Sequence, residues 1–250
     1  MNHLRGPILI IGLLIRWQVL VSCTGVPAYI LPGPWPVAKA LATHLPLLGM
    51  HLRTTLTEIL LGLLLGTVLG STSALAMIVS PLLKRWMLPI LVISQAIPVF
   101  ALAPILVLWL GYGMASKVAM AVLIIFFPVT ASFYGGMQRT DPELIELARI
   151  MGASPWAILR TITIPSALPA FASGVRVATA VAPIGAVVGE WVGSSAGLGF
   201  YMLHANARMQ IDLMFAALSL LAGASLLLYF SLDRLLDKLI YWQPNRGTTL

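Results

Sequence analysis

Apolar positions in this chain fall into long uncharged runs rather than alternating or narrow-stripe patterns. Residues 59–83, 86–116, 118–138 and 213–232 contain no Asp, Glu, Lys or Arg. A membrane-spanning helix needs about 20 mostly apolar residues, so each run predicts one span. A fifth apolar stretch, about 168–192, carries Arg176 and Glu190. The weakest candidate, 7–21, is short and interrupted by Arg16. The pattern predicts an all-α membrane protein of about six transmembrane helices in a single domain, 1–250, with its longest polar interruption at 139–165.

Composition agrees with the pattern. Hydrophobic residues make up 59% of the chain and charged residues 9%, and mean hydropathy is +0.96. Soluble domains carry about 25% charged residues, so this chain could not present a wettable surface in water. Its net charge of +7 is then read as Lys and Arg kept in loops beside anionic membrane lipid, not as a nucleic-acid surface. With the N-terminus inside, Arg5, Lys84, Arg85, Arg139, Arg149, Arg160, Arg234, Lys238 and Arg246 are cytoplasmic, and Lys39, Arg53, Lys117 and Arg208 are outside. That bias places both termini in the cytoplasm and the chain in the inner, or plasma, membrane as a multi-pass protein.

The segment 139–165 reads as two short helices. Asp141 can cap the first, with Pro142 and Glu143 in its first turn. Leu144, Leu147, Ala148 and Met151 form an apolar stripe. Gly152 can end that helix in a left-handed conformation, Ser154-Pro155 restarts the chain, and Pro165 closes the second helix. The residues alone leave two readings open, a coupling elbow and an interfacial hairpin.

Spacing adds a family signal. Glu146-Leu147-Ala148, three residues, Gly152, nine residues and Ile162-Thr163-Ile164-Pro165 resembles the "EAA" loop of binding-protein-dependent ABC importer permeases. The family pattern is Glu-Ala-Ala, three residues, Gly, nine residues and Ile-x-Leu-Pro, and the departures at Leu147 and Ile164 are apolar swaps. The resemblance runs from about Trp17 to Trp242. Stretches 94–111, 127–136 and 189–199 look like the nitrate, sulfonate and taurine branch. Residues 97–104 and 126–130 look closest to permeases for pyrimidine precursors of thiamine. The resemblance implies a type I ABC importer permease fold and a homodimer. Its partners would be cytoplasmic ABC ATPase subunits and a periplasmic or lipoprotein solute-binding protein. The ATPase-coupling residues would be Glu146, Leu147, Ala148, Gly152, Ile162 and Pro165. The solute would be a hydroxymethylpyrimidine-type thiamine precursor, with a sulfonate, taurine or nitrate as alternative.

Other features bear on chemistry. A phosphate-binding Walker loop needs Lys after Gly, and none of Lys39, Lys84, Lys117 or Lys238 follows one, so ATP hydrolysis is expected in a separate subunit. No catalytic constellation, cofactor motif or metal-ligand spacing is present, and the single cysteine, Cys23, excludes an internal disulfide. Leu20-Val21-Ser22-Cys23 looks like a lipidation box, but Arg16, Trp17 and Gln18 interrupt the apolar stretch such a signal requires, which favours an uncleaved first helix. Gly62, Gly66, Gly70 and Ala74 form a small-residue ridge for close helix packing, within the subunit or between subunits.

Ionisable residues in spans are costly and face a cavity or a partner. Candidate pathway residues are Pro98, which with Pro104 kinks or breaks its span, Arg176 and Glu190. For Arg176 the bland readings are snorkelling or a structural ion pair. For Glu190 the bland reading is an interfacial carboxylate in contact with water, and Glu58 is expected to pair with Arg53. Residues 193–199 read as an external turn that a binding protein could contact. A self-sufficient secondary carrier remains the competing class, although it would need coupling charges and inverted repeats that the sequence does not display.

Overall fold

The computed structural model describes residues 5–242, so the placement expected for Arg246 lies outside the described residues. Among the described residues there are eleven α-helices: α1 (Arg5–Thr24), α2 (Pro34–Thr43), α3 (Leu45–Val79), α4 (Pro81–Ala96), α5 (Val99–Leu110), α6 (Met114–Gln138), α7 (Pro142–Ile150), α8 (Pro155–Ile158), α9 (Ile164–Gly193), α10 (Leu198–Ala207) and α11 (Ile211–Leu239). Four unbroken helical stretches among the described residues are long and apolar enough to cross a membrane: Leu45–Val79, Met114–Gln138, Pro155–Gly193 and Ile211–Leu239. The pair α4 and α5 makes a fifth only if counted together across a 104° bend. The expected count of six is therefore approximate, with the 20-residue α1 as the remaining candidate.

The core is a layer in which α6 lies between α3 and α9, with α11 and α2 closing one side. Lipid supplies no hydrophobic drive between helices, so these contacts depend on small residues that let backbones approach. The α3 ridge does this inside the subunit. A Cβ on Gly66 would sit 2.6 Å from Ile125 Cγ2, and one on Gly70 would sit 3.0 Å from Val129. Of the two readings of the ridge, packing within the chain is the observed one. Gly66→Val is expected to cost about 1–3 kcal/mol of overpacking and to lower membrane abundance on a quantitative immunoblot. Gly223→Val on α11, where a Cβ meets nothing within 4 Å, should not.

Two prolines act differently from each other. Ile97 is extended at ψ 123°, as the residue before a proline prefers, and Pro98 begins the new helix α5. The expected single span over 86–116 is thus broken at Pro98, while Pro104 is accommodated inside α5. Pro165 does not close a helix as expected. The backbone widens into a π-turn at Leu159–Thr163, where the Ile164 N–H bonds to Leu159 O. That i→i−5 step lets the chain pass a proline that lacks an N–H. Residues 155–193 therefore form one 39-residue helix, roughly 58 Å long at 1.5 Å per residue.

Candidate functional site

At one end of that long helix lies the elbow. The Asp141 side chain accepts from the Glu143 N–H at 2.9 Å and caps α7. Gly152 has φ +82°, its N–H bonds to Arg149 O, and the Ala153 N–H bonds to Ala148 O, both at 2.9 Å. This is the Schellman stop, which requires a residue comfortable in the left-handed region. Ser154 then accepts from the Ala157 N–H at 3.2 Å and restarts the chain with Pro155. The local chemistry read from the sequence places each of these turns.

The stripe faces the other way from the body. Leu144 and Leu147 are half-exposed, Ile150 and Met151 are about four-fifths exposed at 83% and 79%, and Trp156 is 66% exposed. No residue of α7 is buried. Glu146 is exposed and forms no ion pair among the described residues. Ile145, Arg149 and Trp156 instead border a cleft of about 530 Å³ that runs to Ile78 and Met137. Ile162 is half-buried in the π-turn, and Pro165 is half-buried in the first turn of α9.

The buried charges form two groups. Near the elbow end, Arg176 donates through Nε to Asp233 and through Nη2 to Asp237, each at 2.5 Å. This selects the structural ion pair over snorkelling. Its Nη1 has no partner among the described residues, and a cavity of about 240 Å³ lies beside it, bordered by Val181 and Tyr229. The two aspartates are one helical turn apart on α11, a spacing legible in the sequence.

At the far end, Glu190 is 1% exposed, which overturns the water-contact reading. Its Oε1 accepts from the Thr55 hydroxyl at 2.6 Å, and its Oε2 accepts from the N–H groups of Gly199 and Phe200 at 2.5 and 3.2 Å. The Glu58 carboxyl lies against that of Glu190. Glu58 is paired not with Arg53 but with Lys117, at 3.3 Å. Lys117, expected in an outer loop, is 5% exposed on α6. Sequence reasoning missed this pair because the two residues lie far apart in the chain on different helices; the available signal was a lone charge near the end of an apolar run in each case. Pro98, the remaining pathway candidate, is at the bend between α4 and α5. Among the described residues no three His, Cys, Asp or Glu side chains assemble for a metal.

Similarity to known proteins converges on one group. The family model "Binding-protein-dependent transport system inner membrane component" matches residues 62–240. A probable ABC transporter permease protein of Haemophilus influenzae is 57% identical, covering 96% of this chain and 98% of its own. A formylaminopyrimidine transport permease protein of Halalkalibacterium halodurans is 37% identical over 94% of each chain. A riboflavin transport system permease protein of Chloroflexus aurantiacus is 38% identical, over 96% of this chain and 90% of its own. The fold is that of a chain in the inward facing MetNI methionine ABC transporter, at TM-score 0.68 and 22% identity, covering 78% of this chain and 97% of that one.

Proposed function

From the premise that the chain belongs to the binding-protein-dependent inner membrane component family, and is a multi-pass ABC importer permease of the type I fold, we propose that it imports a neutral pyrimidine of the hydroxymethylpyrimidine type. Import would be driven by ATPase subunits that dock on its elbow. The observation that carries the docking is the exposed apolar surface of Leu144, Leu147, Ile150, Met151 and Trp156 on a capped, rigid elbow. Such a surface marks an interaction site, and the proposal assigns it to a protein partner instead of to lipid. Glu146 offers the partner a charge, Gly152 sets the angle between the two short helices, Ala148 lies half-buried on α7, and Ile162 and Pro165 stand where the elbow runs into α9.

Support for a neutral solute comes from charge. Both basic side chains buried in the described spans are already neutralised, Arg176 by two aspartates and Lys117 by Glu58. An anionic sulfonate or nitrate reaching the unpartnered Nη1 of Arg176 would stand beside two carboxylates that repel it. The 37% identity to a formylaminopyrimidine permease supports the pyrimidine, and the 38% identity to a riboflavin permease supports a larger neutral heterocycle as second reading. In this proposal the solute passes the bend at Pro98 and the cavity beside Arg176, and Glu190 borders that route only through the turn it holds. A second copy of the chain would complete the pathway, and a solute-binding protein would deliver to the side of residues 193–199. With Lys117 buried on α6, Lys39, Arg53 and Arg208 remain as the basic residues of the expected outer set, which supports a cytoplasmic elbow and cytoplasmic termini.

Deleting the gene in a strain unable to make the thiamine pyrimidine is expected to abolish growth on low hydroxymethylpyrimidine. Uptake of the radiolabelled compound should fall to background. Unimpaired growth there, with lost uptake of riboflavin or an alkanesulfonate, would reassign the solute.

A further inference from the structure

The helix that begins at the elbow carries Glu190 in its last turn, and what Glu190 grips is a separate element. The first N–H groups of a helix have no partner within it, and α10 has no side-chain cap of its own. Instead, side chains from other helices take four successive N–H groups. His51 Nδ1 accepts from Gly197 at 3.1 Å and Thr55 Oγ1 accepts from Leu198 at 2.8 Å. Glu190 Oε2 takes Gly199 and Phe200. Thr55 passes its own proton on to Glu190 Oε1, which joins those two acceptors, and His51 stands one turn before Thr55 on α3. Thr55 and Glu190 are 0% and 1% exposed, so water does not compete for these bonds.

The local backbone is shaped around the carboxylate. Gly197 has φ +112°, and a Cβ there would overlap the Glu190 carboxyl group; a Cβ on Gly199 would sit 2.8 Å from its Oε2. Any larger residue at either position would expel the side chain that holds the turn. Lys117 and Glu58 stand behind it, and the His51 ring packs on Tyr201 with centroids 5.1 Å apart. In turn α10 walls a cleft of about 770 Å³ together with α9 and α11, with Trp191, Met202 and Asn206 in its lining.

We propose that Glu190, Thr55 and His51 are positioning residues that clamp α10 to the far ends of α9 and α3, so that displacement of the elbow is delivered through one continuous helix to α10 on the opposite membrane face. The proposal rests on the reading that the elbow docks an ATPase. A helix start capped by its own residues could shift without α9; one whose first four N–H groups belong to α3 and α9 moves with them. Charge-assisted hydrogen bonds from N–H to carboxylate are about twice as strong as neutral ones, and burial excludes the water that would loosen them.

The test uses the assembled transporter in reconstituted vesicles. Thr55→Val keeps the shape of the side chain and removes the hydroxyl that bridges Leu198 and Glu190; His51→Phe keeps the ring contact and removes only the Gly197 acceptor. Both are expected to retain ATPase co-purification and nucleotide hydrolysis within twofold of wild type. Hydroxymethylpyrimidine uptake per ATP should fall at least fivefold, and Thr55→Ser should restore it. Amide exchange at residues 197–200 should rise at least tenfold in Thr55→Val, a readout that needs neither solute nor ATPase. Unchanged exchange, or uptake and hydrolysis that fall in equal proportion, overturns the clamp. Loss of ATPase from the wild-type chain would overturn the docking reading instead, and absence of pyrimidine uptake by wild type would overturn the solute reading. In either case the exchange result still decides whether α10 is clamped.

Discussion

Gly152→Val is expected to separate the permease from its ATPase while leaving the membrane domain intact. Residue 152 sits at φ +82°, a region that costs L-residues roughly 1–2 kcal/mol and β-branched ones more. The neighbouring bonds depend on it, since the N–H groups of residues 152 and 153 close the end of α7. Valine would release that stop and change the angle at which α7 leaves the long helix. A Cβ at this position meets nothing within 4 Å, so no clash spreads into the bundle and abundance should stay near wild type. Uptake should fall by about tenfold, the equivalent of about 1.4 kcal/mol, and ATPase co-purification should fall with it. Gly152→Asn, which tolerates the left-handed region, should retain most of both. Glu146→Lys should weaken association less, because it reverses one exposed charge and leaves the elbow angle unchanged. Wild-type association and uptake in Gly152→Val would reduce the elbow to an interfacial hairpin and remove the main physical support for docking.

Lys117→Met should have the largest effect on stability. Removing one partner of a buried ion pair strands the other charge and costs about 3–5 kcal/mol. Here the stranded group is Glu58, 0% exposed, with a second carboxylate beside it and no other hydrogen-bond donor among the described residues. Thermal unfolding in detergent should shift down by about 10 °C, from the usual 2–4 °C per kcal/mol for a chain of this size, and membrane abundance should drop. The double variant Lys117→Met with Glu58→Gln should recover most of the loss, because it removes the stranded charge and offers Glu190 an amide N–H. Equal stability of the single variant and wild type would mean that the pair is not buried as described.

The existence of the spans and the turns of the elbow were legible because both depend on short-range chemistry. Uncharged runs mark α6 closely, but the run 59–83 begins well inside α3 and the run 213–232 stops short of the end of α11, whereas Asp141, Gly152, Ser154 and Pro155 act within one turn of themselves. Proline was less informative. Pro89, Pro104, Pro128, Pro169 and Pro183 all lie inside helices, whereas Pro98 ends one, and nothing within a few residues of each distinguishes them. Whether a helix continues past a proline depends on which neighbours can satisfy the freed carbonyl. The same reason explains why Pro165 is absorbed by a π-turn instead of closing its helix.

By itself the sequence determined that this chain lives in a membrane as a helical bundle, where its polar elbow turns, and, through the spacing of Glu146, Gly152 and Pro165, which family it resembles. Tertiary structure decided the partners of every buried charge. Glu58 meets Lys117 across α3 and α6. Arg176 meets Asp233 and Asp237 from 57 and 61 residues away, and Glu190 meets Thr55 from 135 residues away. Hydropathy and capping are properties of a residue and its near neighbours, so a one-dimensional reading captures them. An ion pair in a bundle is a property of which helices touch and at what depth, and that is set by small-residue ridges such as Gly62, Gly66 and Gly70, whose partner face on α6 has no signature in the order of residues.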